Sequence, residues 1–237
     1  MNTINYLIAF FCFVPLALFQ QNNTYTLELS TDDKPTVHGF SYWGEVKITS
    51  KDTSFYYALH SSKPDKIEGL KKGIYKVTCT SVFNHSVSLS IELGKKKVSK
   101  LKFKGLNSFY KKAPEIINLT ERLKNNDTLY IVFSSNHSGI LAYEKLGIAK
   151  KDGKYTAIQF KGLTSDVFQE MGITDAQFNQ VIKFEFQAKK LISNPACYAP
   201  EIYTMELKGE TFLFSDNTCS WKGLDNLKGS LFVQIGK

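Results

Sequence analysis

Four histidines are available for chemistry in this sequence, His38, His60, His85 and His137, and none belongs to a metal-binding or catalytic motif. His85 and His137 each sit inside an Asn-x-Ser triplet, where an attached glycan would crowd any metal or substrate. His38 and His60 stand singly near the ends of strand-like runs, where a structural or solvent-facing role fits better than ligation. The patterns Gly-x-Ser-x-Gly, His-Glu-x-x-His and Cys-x-x-Cys do not occur. Asp32-Asp33 runs into Lys34-Pro35, which is turn chemistry rather than a calcium loop. These residues point to a protein that is not an enzyme and holds no metal or cofactor. A buried carboxylate pair, or a His–Ser pair sharing a cleft, would revive a secreted hydrolase.

A different chemistry is concentrated between Gly94 and Pro114. That segment carries Lys95, Lys96, Lys97, Lys100, Lys102, Lys104, Lys111 and Lys112 and no acid. Lys100, Lys102 and Lys104 share parity along a strand, opposite Leu101 and Phe103, so they make one cationic face. With the Lys95–Lys97 turn beside it, such a row suits sulfated glycans or anionic headgroups, with strong salt dependence. The competing role is an edge strand that lysine guards against strand pairing. The net charge of +8 is almost entirely lysine, Arg122 being the only arginine. Arginine is the better bidentate phosphate reader, so nucleic acid is not an expected partner.

Five triplets fit the N-glycosylation acceptor pattern, beginning at Asn22, Asn84, Asn118, Asn126 and Asn136. All precede Gly139, which leaves the C-terminal part freer to meet a partner. The first residues reinforce an export route. Ile4 to Phe19 is nearly unbroken apolar sequence and gives way abruptly to Gln20-Gln21-Asn22. Its length at the N-terminus suits a signal peptide better than a membrane span. Residues 1–20 are therefore expected to be removed, and no later stretch is apolar and long enough to cross a bilayer. Cys12 leaves with that segment. Cys197 and Cys219 flank a loop-rich stretch and are the expected disulfide, while Cys79, inside a strong strand, is expected as a buried thiol.

The elements that must position these residues are mostly strands. Ile74–Phe83 and Ser86–Leu93 form the strongest pair, with Val87, Leu89, Ile91 and Leu93 alternating against serine and glutamate. The turn at Asn84-His85 reads as an accessible hairpin tip, and Val98–Phe103 as a third strand of a meander. Tyr25–Ser30, Glu45–Thr49, Ser54–His60, Glu115–Leu119 and Thr128–Ser134 bring the strand density to that of a sandwich. After Ser138 two short helices are expected. One is Val167–Met171, and the other is opened by Thr174-Asp175-Ala176-Gln177, which has capping-box spacing. Strands are expected to resume at Val181–Ala188, Ile202–Leu207, Thr211–Phe214 and Leu231–Ile235.

One resemblance accompanies this reading. Leu129-Tyr130-Ile131-Val132-Phe133-Ser134-Ser135-Asn136-His137-Ser138-Gly139, followed by Tyr143, resembles the closing strands of CUB and CUB-like domains, and Gly73-Ile74-Tyr75 is compatible with them. The paired cysteines of CUB domains are missing from residues 22–138, and their acidic calcium cluster has no counterpart. The resemblance implies an extracellular sandwich for binding or adhesion.

The expectation is a mostly β protein of two antiparallel sandwich domains, jelly-roll or CUB/Ig-like. A glycosylated first domain spans 21–138, and a second spans 139–237 with short helices near 164–180. Its expected work is extracellular recognition of a protein or an anionic glycan in adhesion or defence. A secreted parasite or viral factor that binds a host protein is the alternative.

Overall fold

A computed structural model describes residues 24–31, 43–57, 64–103, 109–114, 117–137, 140–191, 201–216, 218 and 220–232. In chain order the strands are β1 (Tyr25–Thr31), β2 (Trp43–Thr49), β3 (Ser54–Tyr57), β4 (Asp65–Leu70), β5 (Gly73–Ser81), β6 (Ser86–Leu93) and β7 (Val98–Phe103). They continue as β8 (Lys111–Lys112), β9 (Asp127–His137), β10 (Ile140–Lys151), β11 (Lys154–Phe160) and β12 (Val167–Ile173). Helix α1 (Asp175–Ala188) precedes β13 (Glu201–Leu207) and β14 (Glu210–Asp216), and α2 (Gly223–Leu231) follows them. The protein is mostly β, as expected.

Two of the three sheets formed by the described residues face one another. The order β3-β2-β5-β6 makes one, and β4-β1-β7 the other. The β5–β6 hairpin pairs Tyr75 with Ile91, Val77 with Leu89 and Cys79 with Val87, so alternation delivers these apolar side chains to one face and leaves Ile74, paired with Glu92, on the other. On the opposite face Thr78–Ser88 and Thr80–Ser86 pair through their hydroxyls at 2.8 and 2.9 Å. The core between the sheets holds Leu27, Leu29, Val46, Ile48, Val77, Cys79 and Phe103, with Cys79 fully buried on the face of Tyr75 and Val77.

The expected meander does not form. After Gly94, at φ +135°, the chain crosses to the other sheet, where β7 runs parallel to β1. Leu101 and Phe103 are thereby turned onto the core from its second side.

The third sheet has the order β12-β11-β10-β9-β13-β14-β8. The break expected at 138/139 falls at the turn of the β9–β10 hairpin, which pairs His137 with Ile140 and continues to Asp127 with Lys150. Both strands therefore belong to one sheet. One face of that sheet, with Leu129, Ile131, Ile148, Tyr203 and Met205, packs on α1 and α2 through Phe178, Val181, Phe184, Leu224 and Leu227. Among the described residues, helices rather than a second sheet cover this core.

Four segment expectations are corrected here. Val167–Met171 is strand, because it pairs along β11 from Ile173 back to Val167. Val181–Ala188 is helix: Thr174 caps it with a full capping box, and Phe178, Val181, Phe184 and Ala188 then fall on one buried stripe. The strand-like alternation of Ile182, Phe184 and Phe186 loses to that stripe, leaving Phe186 54% exposed. Leu231 closes α2 instead of opening a strand, and residues 233–237 lie outside the described residues. Leu119, expected in a strand, instead leads into a single 3₁₀ turn at Thr120–Arg122.

The β5–β6 tip is not open to solvent. Val82 and Phe83 are fully buried against Tyr110, Val132, Tyr130 and Leu163, on the face of the third sheet opposite the helices.

Candidate functional site

The lysine-rich end of the first two sheets is assembled by three turns. The β2–β3 turn carries Lys51, held by Ser50 and Thr53 through an Oγ–Oγ1 hydrogen bond of 2.7 Å. The β4–β5 turn carries Lys71 and Lys72, and the Tyr75 hydroxyl fixes it by donating to the Lys71 carbonyl at 3.0 Å. The β6–β7 turn carries Lys95, Lys96 and Lys97.

The first two turns together line a cavity of about 740 Å³ floored by Phe55, Ile67, Leu70 and Tyr75. The third lies beside them, because the Lys72 side chain crosses directly over Gly94. A Cβ at Gly94 would fall 2.6 Å from the Lys72 chain, and its left-handed φ also disfavours any other residue.

Six lysines meet three carboxylates at this end, Asp52, Glu68 and Glu92. Glu92 is held below its ordinary range by the hydrogen bond and charge of Lys95 at 2.8 Å, with Lys72 adding to it. Lys95 is raised in turn by the same contact. Lys97 lies over the Tyr25 ring at 5.8 Å from its centroid. An apolar floor with a cationic rim suits an anion with a less polar face.

The strand part of the expected patch is less available. Lys100 and Lys102 do point outward from β7 as parity requires, but Lys100 pairs with Glu28 of β1 at 3.3 Å. Glu28 stands beside Lys100 in the parallel register and beside Lys66 in the antiparallel one. Lys104 lies outside the described residues. Sequence reasoning missed Lys51, Lys71 and Lys72. Each sits in a tight turn between two short strands, a signal that marks them as exposed but not as neighbours.

The other nominated residues are dispersed. Asn118 donates from Nδ2 to Glu121 Oε1 at 2.7 Å and accepts from Lys189 Nζ at 2.9 Å. Asn126 is exposed in a turn at φ +67°. Asn84, also in the left-handed region, is half-buried with both ends of its amide engaged by the third sheet. Asn22, Cys197, Cys219, His38 and His60 lie outside the described residues, and so does the side chain of Asn136. Among the described residues no cluster of His, Cys, Asp and Glu has the arrangement of a metal site. No described helix is long and apolar enough to cross a membrane.

No family model, no curated protein and no solved structure matches this chain.

Proposed function

We propose that this chain is a secreted, N-glycosylated, non-enzymatic binding protein that engages an anionic glycan through the lysine-rich end of its first two sheets. One observation carries the reading: Lys51, Lys71 and Lys72, from two turns, line one partly apolar cavity, and the turn that carries Lys95–Lys97 adjoins it where Lys72 crosses Gly94. Sulfated sugars offer what that rim lacks, a dense array of negative charge, and their ring faces suit a floor of Phe55 and Tyr75. Lysine ammonium groups recognise such charge as points rather than forks, so affinity is set by their number and by salt. The N-terminal apolar run and the acceptor triplets support an extracellular setting, as does the CUB-like segment 129–143. On this reading the two cores are two domains, the first carrying the ligand.

Chromatography on immobilised heparin with a salt gradient tests this reading. The wild-type chain should elute later than a control of equal size and charge, and Lys71→Glu/Lys72→Glu/Lys95→Glu should elute with the control. Elution of the wild type with the control would reject the glycan.

A further inference from the structure

The tip of the β5–β6 hairpin places a carboxamide against a buried amine. Lys145, on β10, is 1% exposed on the sheet face opposite the helices. Its Nζ donates to Asn84 Oδ1 at 2.7 Å and to the Thr164 carbonyl at 2.8 Å. The rings of Phe160 and Tyr130 flank it, with centroids at 4.3 and 5.6 Å. Asn84 Nδ2 donates to the Tyr130 hydroxyl at 3.3 Å.

We propose that Lys145 and Asn84 join in an intramolecular isopeptide bond between Lys145 Nζ and Asn84 Cγ, with loss of ammonia.

Four features support the reaction. The carbonyl carbon lies at most one C=O bond, about 1.2 Å, beyond the oxygen that Nζ already contacts. A small rotation of the amine turns its N–H off Oδ1 and aims the lone pair at Cγ. Holding the two groups together in a fixed, dry geometry replaces a bimolecular encounter. The amine is also in the right state: burial pushes the Lys145 ammonium down to about 7, against a partial offset from Glu45, so the neutral nucleophile is well populated near neutral pH. The two acceptors around Nζ match the two N–H bonds of that neutral form.

The leaving nitrogen is held as well. Burial raises Tyr130, which keeps its phenol protonated. Glu206, the cross-strand partner of Tyr130 on β13, is fully buried, and its Oε2 has no hydrogen-bond partner.

The step balances without a co-reactant. Nζ bonds to Cγ, and one Nζ proton passes to Nδ2, the nitrogen that the Tyr130 hydroxyl holds at 3.3 Å. The Cγ–Nδ2 bond then breaks. The products are one secondary amide and one ammonia. An asparagine used in this way has no Nδ2 left for a glycan, so this bond and glycosylation of Asn84 exclude each other.

Peptide mapping of the folded, full-length protein, reduced, denatured and freed of N-glycans by peptide-N-glycosidase before tryptic digestion, tests the bond; any asparagine that carried a glycan then reads as aspartate. The wild type should yield a branched peptide in which Val77–Lys95 is joined to Asn125–Lys150, uncut at Lys145 and lighter by one ammonia. Fragmentation should place the junction at Asn84 and Lys145. Lys145→Arg and Asn84→Ala should each abolish the branched species. Recovery of Val77–Lys95 and Asn125–Lys145 as separate, unbranched peptides from folded wild type overturns the proposal, and so does a glycan on Asn84. The wild-type map decides the matter even where a variant does not fold.

Discussion

Lys145 Nζ and Asn84 Oδ1 sit 2.7 Å apart although 61 residues separate them in the chain. The contact joins the hairpin of one sheet pair to the face of the other sheet. It is flanked by a second one, in which His85 Nε2 and Glu206 Oε1 lie 2.9 Å apart.

A covalent bond here closes a long loop in the unfolded chain. For a 61-residue separation the chain-entropy argument gives about 4 kcal/mol of stabilisation. Guanidinium unfolding of Lys145→Met and Asn84→Ala should show losses of that order. The double variant should be no worse than the more damaging single one, because each single change already deletes the whole bond. Fully additive losses would mean that no such bond forms.

The pH dependence of stability gives an independent readout. In Asn84→Ala, Lys145 keeps its amine, with a folded value near 7 against 10.5 unfolded, burial being the cause and Glu45 and Tyr130 the titratable groups beside it. Between those values the unfolded chain binds more protons, so stability rises with pH across that window. Below about pH 7 the penalty is at its full size, and above 10.5 it is gone. The cross-linked wild type has no titrating amine at Lys145 and should lack this contribution to the rise. Thermal melts of both proteins from pH 6.5 to 10 make the comparison.

The lysines of the candidate site should not contribute equally. Lys72 reaches over Gly94 between two turns, while Lys100 is paired with Glu28. Lys72→Glu should shorten heparin retention clearly. Lys100→Gln should leave it close to wild type, the opposite of what strand parity alone suggests. Elution salt for the two single variants measures the difference.

Glu185 supports α1 from within. It is fully buried, and its carboxylate accepts from Leu119 N at 2.7 Å, Thr120 N at 3.0 Å and Thr120 Oγ1 at 2.7 Å, with Lys189 at 3.3 Å. Glu185→Ala strands those donors in the core and should cost about 3 to 5 kcal/mol. Glu185→Gln keeps an acceptor and should cost less. Denaturant midpoints would show the order, and equal losses would contradict this account.

Local pattern carried much of this protein. The alternation along β5 and β6 fixed their pairing and inward face, because a strand's period of two leaves one register that buries Val77 and Leu89 together. The Thr174–Gln177 box placed the start of α1 for an equally local reason, since a cap satisfies donors within its own first turn. Alternation misled where length and surroundings competed. Ile182, Phe184 and Phe186 read as strand, yet the sheet beside them offered a helical stripe its burial surface. Val167–Met171 read as helix until β11 supplied a ladder.

Distance in sequence hid the rest. Nothing in Lys51, Lys71, Lys72 and Lys95 announces that three turns share one end of two sheets, and nothing in Asn84 announces a lysine 61 residues later. Side-chain periodicity records which way a residue faces. Which residue it faces is decided only when whole sheets pack, because that choice depends on the joint burial of many apolar rows at once. The sequence by itself determined strands, faces and turns; tertiary packing decided that an apparent surface asparagine meets a buried amine.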